Sequence, residues 1–125
     1  MTPLRFLHFD VSGDPHERVT LEAMASVSAH QWPALQAEAC QLLAWLHRQH
    51  ADLQGTQEDG GAWDVQLRGS TERSQDMGFE FVQSVAQLEA RPESGERLRH
   101  TLDICLSVAP WLAEALDVEF GTGAL

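Results

Sequence analysis

Three residues have the side-chain types that general acid–base chemistry requires. His8 and Asp10 occupy alternate positions of a predicted strand and therefore share one of its faces, while His100 lies on another predicted strand. A histidine that a carboxylate orients inside a pocket works as a general base. The competing structural interpretation places His8 and Asp10 on a partly hydrated sheet face and makes His100 a hydrogen-bonded core histidine.

His47 and His50 are the weak candidates for a metal site. They lie three residues apart near the end of a predicted helix, with Asp52 following, so imidazoles on adjacent turns can share one ion. The spacing differs from His-Glu-x-x-His, and the sequence identifies no third ligand. Histidines near a helix C-terminus are also stabilised by the helix dipole while remaining solvated. We therefore predict no metal and no cofactor.

The other reactive motifs are incomplete. The chain has no Gly-x-Ser-x-Gly, and Gly60-Gly61 is not followed by the Gly-Lys-Ser/Thr of a phosphate loop. Residues 10–17 concentrate oxygen donors without the register of a calcium loop, so turn stabilisation explains them. Cys40 and Cys105 lack a flanking catalytic signature and are too few for a disulfide framework. Two such thiols indicate a reducing compartment, and we expect both to be small, buried apolar side chains.

Charge excludes two classes of partner. The formal net charge is −11, with 19 acidic side chains against eight arginines and no lysine. The arginines are scattered along the chain, and none follows Arg99. Because phosphate binding needs clustered basic side chains, we expect neither nucleic acid nor an anionic membrane as a partner.

Location and source are indicated by what the chain lacks. No apolar run approaches the roughly 20 residues that span a bilayer. Residues 1–5 have neither the basic nor the apolar region of a signal peptide, so we expect a cytoplasmic protein. Lysine, asparagine and tyrosine are missing and isoleucine occurs once. These residues have A/T-rich codons, and their scarcity indicates a GC-rich, bacterial genome.

Alternating apolar residues predict five strands. They are expected at residues 4–11, 18–27 and 63–68, from Phe79 toward Leu88, and at 98–108. A helix over the last segment would spread its apolar residues around the circumference, which favours the strand. Short connections such as Ser12-Gly13-Asp14-Pro15 favour antiparallel hairpins.

Two helices are predicted from apolar spacings of three and four residues. Ser28 is the predicted N-cap of a long helix, with Gln31 in the capping-box position, and this helix extends to about residue 52. Pro110 opens a short C-terminal helix that ends at Gly121. The predicted order is β-β-α-β-β-β-α in a single domain, residues 1–125. We expect an α+β, two-layer fold with a mainly antiparallel five-stranded sheet and the long helix on one face.

A sheet covered on one side offers its other side for binding. Phe6, Met24 and whichever of Val82 and Val85 point away from the helix are expected to make that face partly apolar. Trp45 lies on an otherwise polar side of the helix and is the predicted exposed contact. The interface candidates are therefore Phe6, Met24 and Trp45.

The sequence therefore predicts a protein-interaction module that self-associates as a homodimer through its open sheet face. A variant of this hypothesis is an inhibitor or immunity-type protein that blocks a basic protein by charge complementarity. The alternative is a small enzyme or ligand-binding protein that uses His8, Asp10 and His100.

Overall fold

The computed structural model describes residues 2–13, 17–93 and 95–123, and this part of the chain is α+β as predicted. Its strands are β1 (Asp10–Gly13), β2 (Val19–Ser28), β3 (Trp63–Ser74), β4 (Met77–Val82), β5 (Gln87–Pro92) and β6 (Arg97–Val108). Its helices are α1 (Trp32–His50) and α2 (Pro110–Phe120), and a short 3-10 turn, Ala51–Leu53, follows α1. The long helix and the short C-terminal helix are both confirmed.

Four strands form one antiparallel sheet in the order β1-β2-β6-β3. The central strand β6 pairs with β2 on one side and β3 on the other, which confirms the extended conformation predicted for its residues. The apolar side chains of β2 and β6 alternate with polar ones, so one sheet face is apolar. We call the face that packs against the helices the inner face and the opposite one the outer face.

The core lies between the inner face and the two helices. Leu21, Ile104 and Leu106 are fully buried on the sheet, and Leu42 and Leu116 are fully buried on the helices. Helix α1 contributes its apolar side chains at three- and four-residue intervals, as its amphipathic pattern predicts. Helix α2 ends where Gly121 adopts a left-handed conformation, as predicted from the glycine.

The predicted five-stranded sheet is corrected in two places. Residues 4–9, predicted as most of a first strand, do not pair in a sheet, and β1 comprises only Asp10–Gly13. The strand expected from Phe79 toward Leu88 is instead a separate hairpin, β4–β5, which turns at residues 83–86. The order is therefore β-β-α-β-β-β-β-α. The turn escaped prediction because Gln83-Ser84-Val85-Ala86 contains no glycine, proline or asparagine, and Ala86 adopts the positive φ itself.

The start of α1 is also corrected. Ser28 is not its N-cap but the last residue of β2, and Gln31 occupies the cap position without a side-chain hydrogen bond. The carbonyl of Ser28 accepts a hydrogen bond from the Gln31 amide at 3.1 Å. The turn between strand and helix is thus closed by backbone groups, with Pro33 in the first helical turn.

A buried carboxylate fixes the segment before β1. Glu38 of α1 is buried, and its side chain accepts hydrogen bonds from the backbone amides of Arg5, Phe6 and Leu7. The distances are 2.9 Å to the Phe6 amide and 2.8 Å to the Leu7 amide. Three successive amides that bind one carboxylate cannot also bond to a neighbouring strand. This explains why the alternating pattern of residues 4–9 does not produce sheet structure.

We expect Glu38→Ala to lower the free energy of unfolding by about 2–3 kcal/mol, because buried amides lose a charged acceptor. Urea denaturation followed by circular dichroism measures this change. The control is Gln36→Ala at an exposed position of the same helix, with an expected change within about 0.5 kcal/mol. Equal losses in the two variants would contradict the role given to Glu38.

Candidate interaction surface

The structure does not bring His8, Asp10 and His100 together. Asp10 lies on the outer face opposite Glu22, which in turn lies opposite Cys105. His100 lies on the inner face, five residues from Cys105 along β6, a separation of about 17 Å. His8 is exposed and lines a shallow depression with Phe120 and Thr122. Asp10 and His100 are therefore too far apart to form an oriented pair, and His8 and Asp10 line different depressions of the surface.

His100 has a structural environment of its own. Its imidazole stacks on the indole of Trp32, with ring centroids 4.9 Å apart and an interplanar angle of 20°. Its Nδ1 lies 2.8 Å from the Thr71 hydroxyl, within hydrogen-bond distance. Both contacts explain the residue as a packed, hydrogen-bonded histidine at the end of the inner face.

His47 and His50 contact different indoles. The His47 ring meets Trp63 edge-on at 5.2 Å, whereas the His50 ring lies between Trp45 at 5.7 Å and Trp111 at 5.3 Å. In the part of the chain that the structure describes, no three His, Cys, Asp or Glu side chains are grouped to hold a metal ion. Residues 14–16 of the oxygen-rich turn lie outside the described residues.

Cys105 faces the open side of the sheet beside a carboxylate. Its Sγ lies 3.8 Å from Oε1 of Glu22. Burial raises the pKa of the Cys105 thiol, and the charge and hydrogen bond of Glu22 raise that pKa further. The thiol therefore stays protonated at neutral pH, which is unsuited to a nucleophile.

We expect Cys105, studied in a Cys40→Ser variant, to react with a disulfide reagent several-fold more slowly than Cys40 in a Cys105→Ser variant. Cys40 is exposed. For Cys105 the pH of half-maximal rate should lie above the usual range of a free thiol, and Glu22→Gln should lower it, because the substitution removes the negative charge that opposes thiolate formation. Faster reaction of Cys105 than of Cys40 would refute this description.

The outer face of the sheet is open, but it is polar. Met24 is a large apolar side chain on this face, and 69% of its surface is exposed. The others described on β2, β6 and β3 are polar or charged, apart from Cys105; they are Thr20, Glu22, Ser26, Ser28, Arg97, Arg99, Thr101, Asp103, Ser107, Asp64, Gln66, Arg68, Ser70, Glu72 and Ser74. The expectation of a partly apolar outer face is therefore wrong.

The remaining predicted contact residues lie elsewhere. Phe6 is half-buried against the core beneath the Arg5 guanidinium, 4.9 Å from its ring centroid. Trp45 is half-buried and meets Phe120 edge-on at 5.7 Å. Val82 and Val85 belong to the β4–β5 hairpin and not to the four-stranded sheet.

An exposed apolar surface does exist, on the β4–β5 hairpin. The register pairs Met77 with Pro92, Phe79 with Ala90 and Phe81 with Leu88, so these six side chains share one face. We call them the hairpin face. Phe79 is 65% exposed and Phe81 is 62% exposed. The opposite side carries Glu80 and Arg91, joined by an ion pair of 2.9 Å, so the hairpin is amphipathic.

Charged pairs hold the base of the hairpin. Arg97 binds both carboxylate oxygens of Asp76, at 2.8 and 2.9 Å, and the amide of Glu93 donates to the Asp76 carbonyl at 3.0 Å. The hydrogen bond and the charge of Arg97 hold the pKa of Asp76 below its usual value. Arg73 and Glu96 form a second pair at 3.3 Å. These contacts join the two ends of the hairpin to β3 and β6.

The sequence contained a signal for this surface. Apolar residues alternate from Met77 to Phe81 and again from Leu88 to Pro92, on either side of a six-residue gap, residues 82–87. Strict alternation interrupted once is typical of a hairpin.

Comparison with protein-family models, curated proteins and solved structures finds no match for this chain. None of the helices within residues 2–13, 17–93 and 95–123 has the length and apolar character needed to cross a membrane.

Proposed function

We propose that the protein is a protein-interaction module that self-associates through the hairpin face. The carrying observation is the set of six apolar side chains on one side of a hairpin that is exposed over nearly all its residues. The exposed apolar area of the hairpin face and the distribution of charge along the chain both favour a second copy of the chain as the partner that covers this face.

The apolar area exposed on the hairpin face is as large as that of typical binding surfaces. Burying a phenylalanine removes roughly 150–250 Å² from water, so Phe79 and Phe81, both more than half exposed, present about 250 Å² together. With Met77, Leu88 and their neighbours the hairpin face reaches about 400–500 Å², an area at which apolar patches on soluble proteins are often functional.

Charge supports self-association at this place on the molecule. Residues 68–99 carry five arginines and six acidic side chains, whereas the rest of the chain carries three arginines and 13 acidic side chains. Two copies that meet through their hairpins therefore avoid bringing two strongly acidic surfaces together. A basic partner, in contrast, would be attracted to the acidic remainder of the molecule.

The hairpin itself also favours a covering partner. Strands β4 and β5 pair with each other and, among the described residues, with no third strand. A two-stranded hairpin in water is marginally stable without further packing. Covering its apolar face in a dimer supplies that packing.

We expect the wild-type chain to sediment as a dimer at micromolar concentration and Phe79→Ser/Phe81→Ser to sediment as a monomer. Losing two aromatic contacts should raise the dissociation constant roughly 100-fold or more. The matched control is Met24→Ser, which removes an equally exposed apolar side chain from the outer face and should leave the dimer intact. A monomeric wild-type chain, or equal weakening by Met24→Ser, overturns the proposal.

Added salt distinguishes this association from binding to a basic protein. Screening reduces the repulsion between the two acidic molecules, so the dimer dissociation constant should fall or stay constant as ionic strength rises. Sedimentation at low and high sodium chloride measures this. Dissociation of the dimer by salt would mean that ion pairs, rather than the hairpin face, hold the copies together.

A further inference from the structure

The four-stranded sheet has one long open edge, which belongs to β3. In the order β1-β2-β6-β3 the outermost strands are β1, with four residues, and β3, with twelve. Gln54 bridges β3 at its first residue, Trp63, and beyond that point no other described strand pairs with β3 on the side away from β6. We call this side of residues 64–73 the β3 edge.

Hydrogen bonds at the start of β3 show which peptide groups point toward the β3 edge. The Ala62 carbonyl accepts a hydrogen bond at 2.7 Å from the amide of Ala109, the residue that follows β6. The Trp63 carbonyl accepts one at 2.7 Å from the Gly55 amide, on the opposite side. This direction alternates along a strand, and the register with β6 continues without a bulge to the end of β3. The residues that direct amide and carbonyl groups to the β3 edge are therefore Val65, Leu67, Gly69 and Thr71.

The β3 edge lacks the features that usually prevent sheet edges from pairing. Protected edges are short, or they carry a proline, a bulge or charged side chains that point inward. Residues 65–71 contain no proline, and their inner-face side chains are uncharged. The Val65 amide donates to the carboxylate of the adjacent Asp64 at 2.9 Å, in the place where a further strand would supply a carbonyl. The backbone of this edge is therefore suited to accept a strand.

The side chains of β3 indicate which segment fits beside it. On the inner face Leu67 is 50% exposed, and Gly69, the next residue on that face, has no side chain. Apolar side chains of an added strand can cover both positions. On the outer face Asp64, Arg68 and Glu72 follow at four-residue intervals, so that their charges alternate. None of these three forms an ion pair with another described residue.

We propose that the β3 edge binds an extended segment of a partner protein as an additional antiparallel strand. Main-chain hydrogen bonds hold such a segment, and its side chains provide specificity. The segment directs apolar side chains to the inner face and places basic, acidic and basic side chains opposite Glu72, Arg68 and Asp64. A second copy of β3 does not supply this pattern, because residues 64–72 aligned antiparallel with themselves set like charges opposite one another. The β3 edge is separate from the hairpin face, so this proposal is independent of self-association.

Binding of a synthetic peptide tests the proposal. The acetylated and amidated peptide Lys-Val-Thr-Phe-Glu-Val-Thr-Val-Lys, antiparallel to residues 64–72, places a valine opposite Leu67 and the phenylalanine opposite Gly69. We expect it to bind the wild-type chain with a micromolar dissociation constant, measured by fluorescence anisotropy of the labelled peptide. A matched peptide in which lysine and glutamate are exchanged should bind about tenfold more weakly. Absence of binding, or equal affinity of the two peptides, overturns the proposal.

Methylation of the peptide backbone distinguishes strand addition from contact through apolar side chains alone. The amides of the phenylalanine and of the valine after glutamate face Gly69 and Leu67, so methylating both should weaken binding about 100-fold or more. The amides of the two threonines point away from β3, and methylating them should change the affinity less than threefold. Equal effects of the two pairs of methyl groups would contradict strand addition.

Variants of the protein locate the peptide. Leu67→Lys places a charge on the inner face beside the β3 edge and should weaken peptide binding at least tenfold, whereas Met24→Lys on the outer face should not. Circular dichroism establishes that both variants are folded. Phe79→Ser/Phe81→Ser should bind the peptide as tightly as the wild type, and loss of binding in this variant would place the peptide on the hairpin face and overturn the proposal. Sedimentation of Leu67→Lys should match that of the wild type. If Leu67→Lys dissociates a wild-type dimer, the β3 edges of two copies pair with each other, and a foreign segment is not the occupant.

Discussion

One α-helix is about 10 Å wide, and neighbouring strands lie about 4.8 Å apart, so a single helix covers about two strands. The sheet has four strands, so one helix is too narrow to cover it. Helix α1 packs against β2, and at its C-terminal end His47 meets Trp63 edge-on and the carbonyl of His50 accepts a hydrogen bond from the Trp63 indole. The distal part of β3 is beyond both helices. Its inner face is therefore exposed because of the width of the helix layer, whatever residues occupy it.

The limited width of the helix layer also explains why the hairpin is exposed. The chain leaves the covered part of the sheet along β3 and returns along β6, so the residues between them have no core to join. On the outer face, which also contacts water, nearly all positions are polar or charged. On the hairpin, at similar exposure, six paired positions are apolar. Because the outer face is polar and the hairpin face is apolar at similar exposure, general hydrophobicity of the chain does not explain the hairpin face, and this difference supports the proposed self-association.

Periodicity predicted much of the fold because it reports which side of an element is apolar. The alternation of β6 and the helical spacing of α1 were sufficient for their type and approximate bounds. The prediction failed where a distant side chain competes for backbone donors, since no local pattern shows that Glu38 binds the amides before β1. It failed again at Ala86, where the turn uses a residue without turn preference.

The predicted site residues show a related limit. Alternation shows which residues of the same strand share a face with His100 or with Asp10. It contains no information about the order of the strands in the sheet or the register between them. The order β1-β2-β6-β3 puts β1 two strands from β6, and the register shifts the two residues apart along the sheet. Met24 was correctly expected to face away from α1, because a residue's side of its own strand is a local property. The hairpin face was missed because its two strands were interpreted as one.

An exposed hairpin can aggregate through its strand edges, and the sequence of this hairpin lowers that tendency. Among the described residues, β4 and β5 each have one unpaired edge, and such edges can pair with further copies and extend without limit. Here the side opposite the hairpin face carries Glu80, Glu89 and Arg91, and Pro92 lacks an amide donor at the end of β5. Charged side chains and a proline disfavour strand-by-strand addition, whereas packing through the apolar face remains available. Together with an acidic remainder that repels other copies, these features favour a closed assembly over an open one. The arrangement of charge thus favours association through the hairpin face and disfavours association through the strand edges of the hairpin.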